Sequence, residues 1–471
     1  MTVSRQPYGA GDLARLLAPR SVALVGASPT ANSMGARSLA NLARFSGRVF
    51  PVNGRYAAIA GLPCHASLDA LPEVPDVVIV ALAAPQVEAV VADCARRGVG
   101  GVVIYAAGYA ETQTAEGRAA QARLAAIAQE SGMRIVGPNC AGYAVLPAGL
   151  LAGFPEFPAP RPGPRGIGLV AQSGALGLAL SQAAERGVAL THVLTCGNSC
   201  DVDVADWLAA LAETGSCAAV ALTWEGLEDE ARLVAAARLA ASRGLPVAAC
   251  RLGLSEVGAA QALVHTGSVV TPPERFPALC AEAGFVPVTR IEALMETACF
   301  LAKAPARPQA GGVAIASGSG GTAILAADAA ARHGVAVPPP TPTTVEALRA
   351  VLPAFAAPRN PCDATAQVTA NPAMLRGVVE ALLADPGIGA LVCPWGKAYR
   401  SDNIAFLGEA ARRHGKPVCL VWMSQWLEGP GTTEAEADPD LALFRSLDAC
   451  FAALAAWFAR DQAMPRVSPD Q

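Results

Sequence analysis

Val22-Ala-Leu-Val-Gly-Ala-Ser28 runs a short apolar segment into a glycine and a serine. The same phrase returns as Ile167-Gly-Leu-Val-Ala-Gln-Ser-Gly-Ala175 and as Val313-Ala-Ile-Ala-Ser-Gly-Ser-Gly-Gly321. An apolar run that gives way to Gly and Ser and then to a helical pattern is how a doubly wound α/β domain opens. Three openings predict three such domains in succession. Ligands of these sheets bind beyond the carboxyl ends of the strands, where helix N-termini offer free amides to anions.

Two proline-rich stretches separate the openings: Phe154-Pro-Glu-Phe-Pro-Ala-Pro-Arg-Pro-Gly-Pro-Arg165 and Ala304-Pro-Ala-Arg-Pro-Gln-Ala-Gly-Gly312. Proline has no amide donor, so neither stretch fits inside a sheet or helix. They predict domains at 1–150, 165–302 and 311–462, followed by a short tail. In the first domain, strands are expected near 21–25, 48–52, 76–82, 101–106 and 133–136, with helices such as Gln86–Arg97 and Ala115–Gln129 between them.

The totals fit this organisation. Over 471 residues, 53% are hydrophobic and 16% charged, which describes large buried cores rather than a disordered chain. A net charge of −4 leaves no basic footprint for nucleic acid. The 13 cysteines form no CxxC pair and no zinc spacing, and so scattered a set suits a reducing compartment. The first residues lack a signal peptide's apolar core and no apolar run reaches the ~20 residues a membrane helix needs. A cytoplasmic protein with no membrane span and no metal site of its own is expected.

Chemistry concentrates at the strand ends. In the first domain Gly26-Ala-Ser-Pro-Thr-Ala-Asn-Ser-Met-Gly35 invites a dinucleotide reading, but it is not GxGxxG, and the second strand ends in Asn53, where an NAD site wants an acid for the ribose diol. NAD is disfavoured; another phosphate-bearing nucleotide is not. In the second domain Gln172-Ser-Gly-Ala175 opens a helix whose amides could hold phosphate. Cys196-Gly-Asn-Ser-Cys-Asp-Val-Asp203 follows a strand, as does the carboxylate of Trp224-Glu225-Gly226. Asp201 and Asp203 also read as caps for a helix from Val204. After the apolar run Leu245–Arg251, one of only five histidines, His265, lies in a small-residue stretch that reads as a loop, beside Thr266 and Gly267. A nucleophilic His needs little bulk around it, and a carboxylate that fixes its tautomer makes the other nitrogen more nucleophilic. In the third domain Arg359-Asn-Pro-Cys-Asp363 reads as an Asn-Pro turn.

Taken together, Ser21–Ser28, Val49-Phe-Pro-Val-Asn53, Ala106-Ala-Gly-Tyr-Ala-Glu111, Gly137-Pro-Asn-Cys-Ala-Gly142, Gln172-Ser-Gly-Ala175, Gly197-Asn198 with Asp201-Val-Asp203, Trp224-Glu-Gly226, His265-Thr-Gly267 and Asn360-Pro-Cys-Asp363 resemble the α-type, CoA-ligase half of the NDP-forming (ADP-forming) acyl-CoA synthetases, distant relatives of the succinyl-CoA synthetase α subunit. The resemblance implies a Rossmann-like CoA-binding domain followed by two flavodoxin-like, succinyl-CoA-ligase-type domains. It implies that Gly26, Ser28, Gly35 and Asn53 line a CoA site with Glu111 and Asn139 near it. His265 matches the phosphorylated His, Glu225 the carboxylate that steadies it, and Gln172, Ser173, Gly174 and Gly267 the phosphate site. It further implies a small carboxylic acid as substrate, and ATP or GTP with Mg held by a separate ATP-grasp β-type subunit in an oligomer. The loop Leu263-Val-His-Thr-Gly-Ser-Val-Val270 is bulkier and stiffer than the family's, which usually has Ser before the His and small residues after it. A catalytically silent CoA- or acyl-CoA-binding sensor or scaffold is the alternative.

Overall fold

The computed structural model describes residues 5–159, 166–266, 272, 274–396 and 401–463. The chain forms two compact units, one running to Phe285 and one from Val286 onward, with residues 186–188 grouped with the second.

The first unit holds two parallel sheets. In the first sheet the spatial order is Arg48–Val52, Ser21–Val25, Val77–Val80, Gly101–Ile104, Arg134–Val136, all parallel. A single parallel bridge from Val52 to His65 lies beyond Arg48–Val52. The bridge stands where a Rossmann sheet has its third strand, so the order 3-2-1-4-5-6 is kept with that strand reduced to one residue pair. The strands read from sequence sit where expected, as do the helices Ala84–Arg97 and Ala115–Ser131. Both faces are apolar because both are covered. Ala23, Phe50, Val78, Val80 and Val102 pack on Val87, Val91 and Leu124 of those helices.

The opposite face meets the second sheet. Val22, Leu24, Val77, Ile79 and Val103 share one core with Val170, Leu194, Val220, Leu222 and Trp207. Burying each such aliphatic side chain contributes roughly 1.5–3 kcal/mol, so these two sheets form one body. The second sheet orders its parallel strands Val247–Arg251, Ala219–Trp224, Ile167–Ala171, Leu190–Thr195. An antiparallel hairpin, Gly142–Val145 and Leu150–Gly153, extends it beyond Leu190–Thr195. The chain thus leaves the first sheet after Val136, ahead of the proline-rich stretch.

Asp203 caps helix Val204–Thr214 through a capping box: its carboxylate accepts from the amides of Ala205 and Asp206, while the Asp206 carboxylate accepts from the Asp203 amide at 3.0 Å. Asp201 caps nothing there. It accepts from the Ile135 amide at 2.8 Å and from the Tyr8 hydroxyl at 2.8 Å, bracing the first sheet against the N-terminal segment.

The second unit has one parallel sheet in the flavodoxin-like order 2-1-3-4-5: Cys362–Asp363, Gly312–Ser317, Ile388–Trp395, Val418–Trp422, Leu441–Phe444. Asn360, at the turn anticipated from Asn-Pro, donates to the carbonyls of Val313 and Pro338 and accepts from the Ile315 amide, so that turn is structural. All 13 cysteines are free. No helix among the described residues is long and apolar enough to cross a membrane.

Candidate functional site

Within the first unit, the carboxyl ends of both sheets open on one cavity of about 890 Å³. Its wall includes Gly26, Ser28, Gly35 and Asn139 from the first sheet's loops, and Gln172, Ser173, Gly174 and Glu225 from the second's.

Gly26 follows strand Ser21–Val25 with φ +89°, and a Cβ there would stand 2.5 Å from the Ala81 carbonyl oxygen. Gly35 lies in the first turn of helix Met34–Leu42, and a Cβ on it would come within 2.2 Å of the Gly26 carbonyl oxygen. The missing side chains let helix and strand end touch, which brings the helix N-terminus to the cavity. Ser33 caps that helix by accepting from the Ala36 amide at 3.1 Å.

Asn53 lies outside the lining. Its side chain donates to the Ala27 carbonyl at 2.8 Å and accepts from the Arg55 amide. It therefore fixes the turn behind the wall.

On the second sheet, Ser173 caps helix Gly174–Ser181, leaving the amides of its first turn without intrahelical acceptors. Gln172, which is buried, uses its carboxamide oxygen to accept from the amides of Glu225 at 2.8 Å and Gly226 at 3.1 Å. That assignment of oxygen and nitrogen follows from the two donors. Gln172 thus holds the Glu225 turn in place, and Glu225 is buried in the same wall.

Loops of the two sheets are bonded across the seam. The Asn198 amide donates to the Pro138 carbonyl at 2.9 Å and the Cys200 amide to the Gly137 carbonyl at 3.0 Å, while within the second sheet the Gly197 amide donates to the Gln172 carbonyl at 3.1 Å. Glu111 stands behind the wall, accepting from the amides of Gly108 and Tyr109 and from the Asn198 carboxamide.

His265 lies in the last turn of a helix, Glu256–Thr266, rather than in a loop. The physical reason is the run Gly258–Leu263: its alanines are strong helix formers, and Ser255 starts it by accepting from the Gly258 amide at 3.0 Å. The helix packs on the turn Ala110–Thr112 that carries Glu111. The side chain of His265 and all of Gly267 lie outside the described residues.

Sequence reasoning missed part of the wall. Met34, Leu82, Tyr105, Cys140 and Phe154 contribute to it. The Tyr105 and Phe154 rings meet edge-on at 5.0 Å, and the Tyr105 hydroxyl pairs with Ser38 at 2.8 Å. Burial pushes the Cys140 thiol up from its ordinary pKa, so it stays neutral and is no thiolate nucleophile. The second unit has its own cavity of about 480 Å³ at the strand ends, lined in part by Ser317, Gly318, Ser319 and Thr322. No group of three or more His, Cys, Asp or Glu among the described residues is arranged to hold a metal.

Family models match along the chain: a CoA binding domain at residues 20–145, a succinyl-CoA ligase like flavodoxin domain at 164–301 and a Ligase-CoA domain at 313–414. The Pyrococcus furiosus acetate–CoA ligase [ADP-forming] II subunit alpha is 32% identical over 87% of this chain and 89% of its own length. The chain belongs to the ADP-forming acyl-CoA synthetase family. A second member, Archaeoglobus fulgidus acetate–CoA ligase [ADP-forming] I, is 34% identical over 76% of this chain, which spans about half (51%) of that longer relative. The solved structure of Ca. Korarchaeum cryptofilum acetyl-coenzyme A synthetase 1 in complex with phosphate and ADP superposes with a TM-score of 0.84 at 24% identity, covering 96% of this chain and 97% of that one, and shares the synthetase fold. The cavity of the first unit is therefore built from the family's CoA-binding and succinyl-CoA-ligase-like segments together.

Proposed function

We propose that this chain is the α-type subunit of a cytoplasmic NDP-forming acyl-CoA synthetase, with domains at 1–150, 165–302 and 311–462. It makes acyl-CoA from a small carboxylic acid, CoA and ATP or GTP. A separate ATP-grasp β-type subunit holds the nucleotide and Mg, as the relatives named as alpha subunits suggest. The observation that carries this reading is the single wall shared by Gly26, Ser28, Gly35, Asn139, Gln172, Ser173, Gly174 and Glu225. A nucleotide-bearing thiol fits such a wall: two helix N-termini offer amides to phosphates, Met34, Leu82 and Phe154 offer apolar surface, and about 890 Å³ is roomy enough.

Each residue then has a role. A ring nitrogen of His265 takes the γ-phosphoryl group as the bond to the nucleoside diphosphate breaks. An oxygen of the acid attacks that phosphorus, the phosphorus–nitrogen bond breaks, and an acyl phosphate forms. The CoA thiol loses its proton and attacks the acyl carbon, and phosphate leaves. Glu225 orients and charge-balances the imidazole, and the amides at Ser173 and Gly174, with Gly267, steady the moving dianion. Gly26, Ser28, Gly35 and Asn139 hold CoA, while Asn53 and Glu111 support that wall from behind.

The reverse half-reaction tests this without a partner. The full chain is incubated with inorganic phosphate and a panel of acyl-CoAs, and intact mass and acid lability are followed. An acid-labile phosphoryl adduct present in wild type and absent in His265→Ala is expected. CoA binding without an adduct from any acyl-CoA would overturn the enzyme in favour of a silent CoA-binding protein.

A further inference from the structure

Asn198 sits where the two sheets of the first unit are joined, and its carboxamide works in two directions. Its oxygen accepts from the Asn139 side chain at 3.2 Å. Its nitrogen donates to the Glu111 carboxylate and to the Gln121 side-chain oxygen, the latter at 3.0 Å. The backbone around it leaves little freedom. Gly197 has φ +60°, and a Cβ there would lie 2.4 Å from the Pro138 carbonyl oxygen. Asn198 is buried while Asn139, Glu111 and Gln121 are half-buried, so a bond lost here leaves a polar atom of Asn198 in the interior without its partner.

On either side of this carboxamide stand groups the site needs. Asn139 and Asn198 both line the cavity. Glu111 belongs to the turn Ala110–Thr112 on which helix Glu256–Thr266 packs, and that helix carries His265. Glu111 makes no direct bond to Asn139, so the link runs through residue 198. It requires an acceptor on one side and a two-proton donor on the other. A carboxamide has both; a carboxylate of the same shape has no donor.

We propose that Asn198 is a positioning residue that couples the cavity wall at Asn139 to the turn supporting the His265 helix, so that ligand binding in the cavity and the placement of that helix are set together. The ligand assignment rests on the CoA-ligase reading above; the coupling rests on the three side-chain bonds.

A polarity swap tests it. Asn198→Asp sets a second carboxylate against Glu111 and removes the donor. Adding Glu111→Gln restores a donor–acceptor pair of opposite sense. The carboxamide introduced by the second change can still accept from the Gly108 and Tyr109 amides while donating to the carboxylate introduced by the first. CoA affinity is measured by calorimetry and phosphohistidine formation in single turnover, with thermal unfolding followed for each full-length variant. Asn198→Asp is expected to weaken CoA binding and slow phosphorylation by about tenfold each, a normal size for coupled neighbours. The double variant is expected to recover both to within about threefold. Two results overturn the coupling: CoA affinity and rate unchanged in Asn198→Asp, or losses in the double variant that equal the sum of the singles. Wild type that binds CoA but forms no phosphohistidine overturns the proposed reaction, and the affinity arm then decides the coupling alone. Wild type that does not bind CoA overturns both.

Discussion

In the unit that ends at Phe285, the turns after Val25 and Ala171 face one cavity of about 890 Å³. In the unit that begins at Val286, the turn after Ser317 faces a smaller cavity of about 480 Å³. All three turns are written with Gly and Ser after an apolar strand, yet they are built differently. Ser33 and Ser173 cap their helices through the side chain, whereas Ser319 makes no such bond, and Ser317 instead pairs with Thr322. Gly35 is pressed against backbone, while a Cβ on Gly320 would meet only the end of the Asp363 side chain, at 3.0 Å. One local pattern thus serves a shared, backbone-walled site in the first unit and a looser, side-chain-walled one in the second.

Glycine substitution breaks this contrast most sharply. Gly35→Ala drives a methyl group into the Gly26 carbonyl, and no rotamer can relieve a clash with backbone. CoA affinity measured by calorimetry is expected to fall by about a hundredfold or more. Gly320→Ala, where Asp363 can turn aside, is expected to leave it within about threefold. Equal losses in the two variants would erase the distinction between the units.

Histidine environment sharpens the contrast next. His333 and His414 of the second unit each sit 2.8 Å from a carboxylate, Asp448 and Glu380. His192 of the first unit is buried beside Thr191, and burial lowers its pKa from 6.5 to about 4. The folded state therefore refuses a proton that the unfolded chain accepts between those values. His192 contributes fully above about pH 6.5, and its contribution falls as pH drops toward 4, by up to about 3 kcal/mol. Asp203, raised to about 6 first by burial and then by Asp206, favours the folded state in the same acidic window. The readout is therefore the difference between wild type and His192→Gln in urea titrations: wild type should lose stability relative to the variant from pH 6.5 to 4. Parallel curves would contradict the burial argument.

The smallest expected effect probes the Glu225 turn. Gln172→Leu leaves the amides of Glu225 and Gly226 without their acceptor, which costs about 1–2 kcal/mol. Phosphohistidine formation should slow roughly tenfold with CoA affinity nearly unchanged. Ser317→Ala, its counterpart in the second unit, should change neither. A loss of CoA affinity matching the loss of rate in Gln172→Leu would show that this turn shapes the whole wall.

Strand–turn–helix punctuation is legible in the sequence because it is local. Apolar runs of four to six residues bounded by Gly and Ser read as strands buried on both faces, and they appear at Ser21–Val25, Gly101–Ile104 and Ile167–Ala171. The His265 stretch reads as loop because Gly253, Gly258, Ser255 and Thr266 suggest breaks. The alanines between them, capped by Ser255, favour helix and prevail.

By itself the sequence determined the three α/β openings, the glycines that let strand ends and helices touch, and the polar residues placed at those ends, since each depends only on neighbours along the chain. Tertiary structure alone decided that the first two sheets share a core, that the hairpin Gly142–Gly153 joins the second sheet, that Asn53 and Glu111 stand behind the wall, and that Asn198 links Asn139 to Glu111. These depend on residues as far apart in the chain as Val22 and Leu222, brought together by burial of apolar surface, and that force has no direction for a local pattern to record.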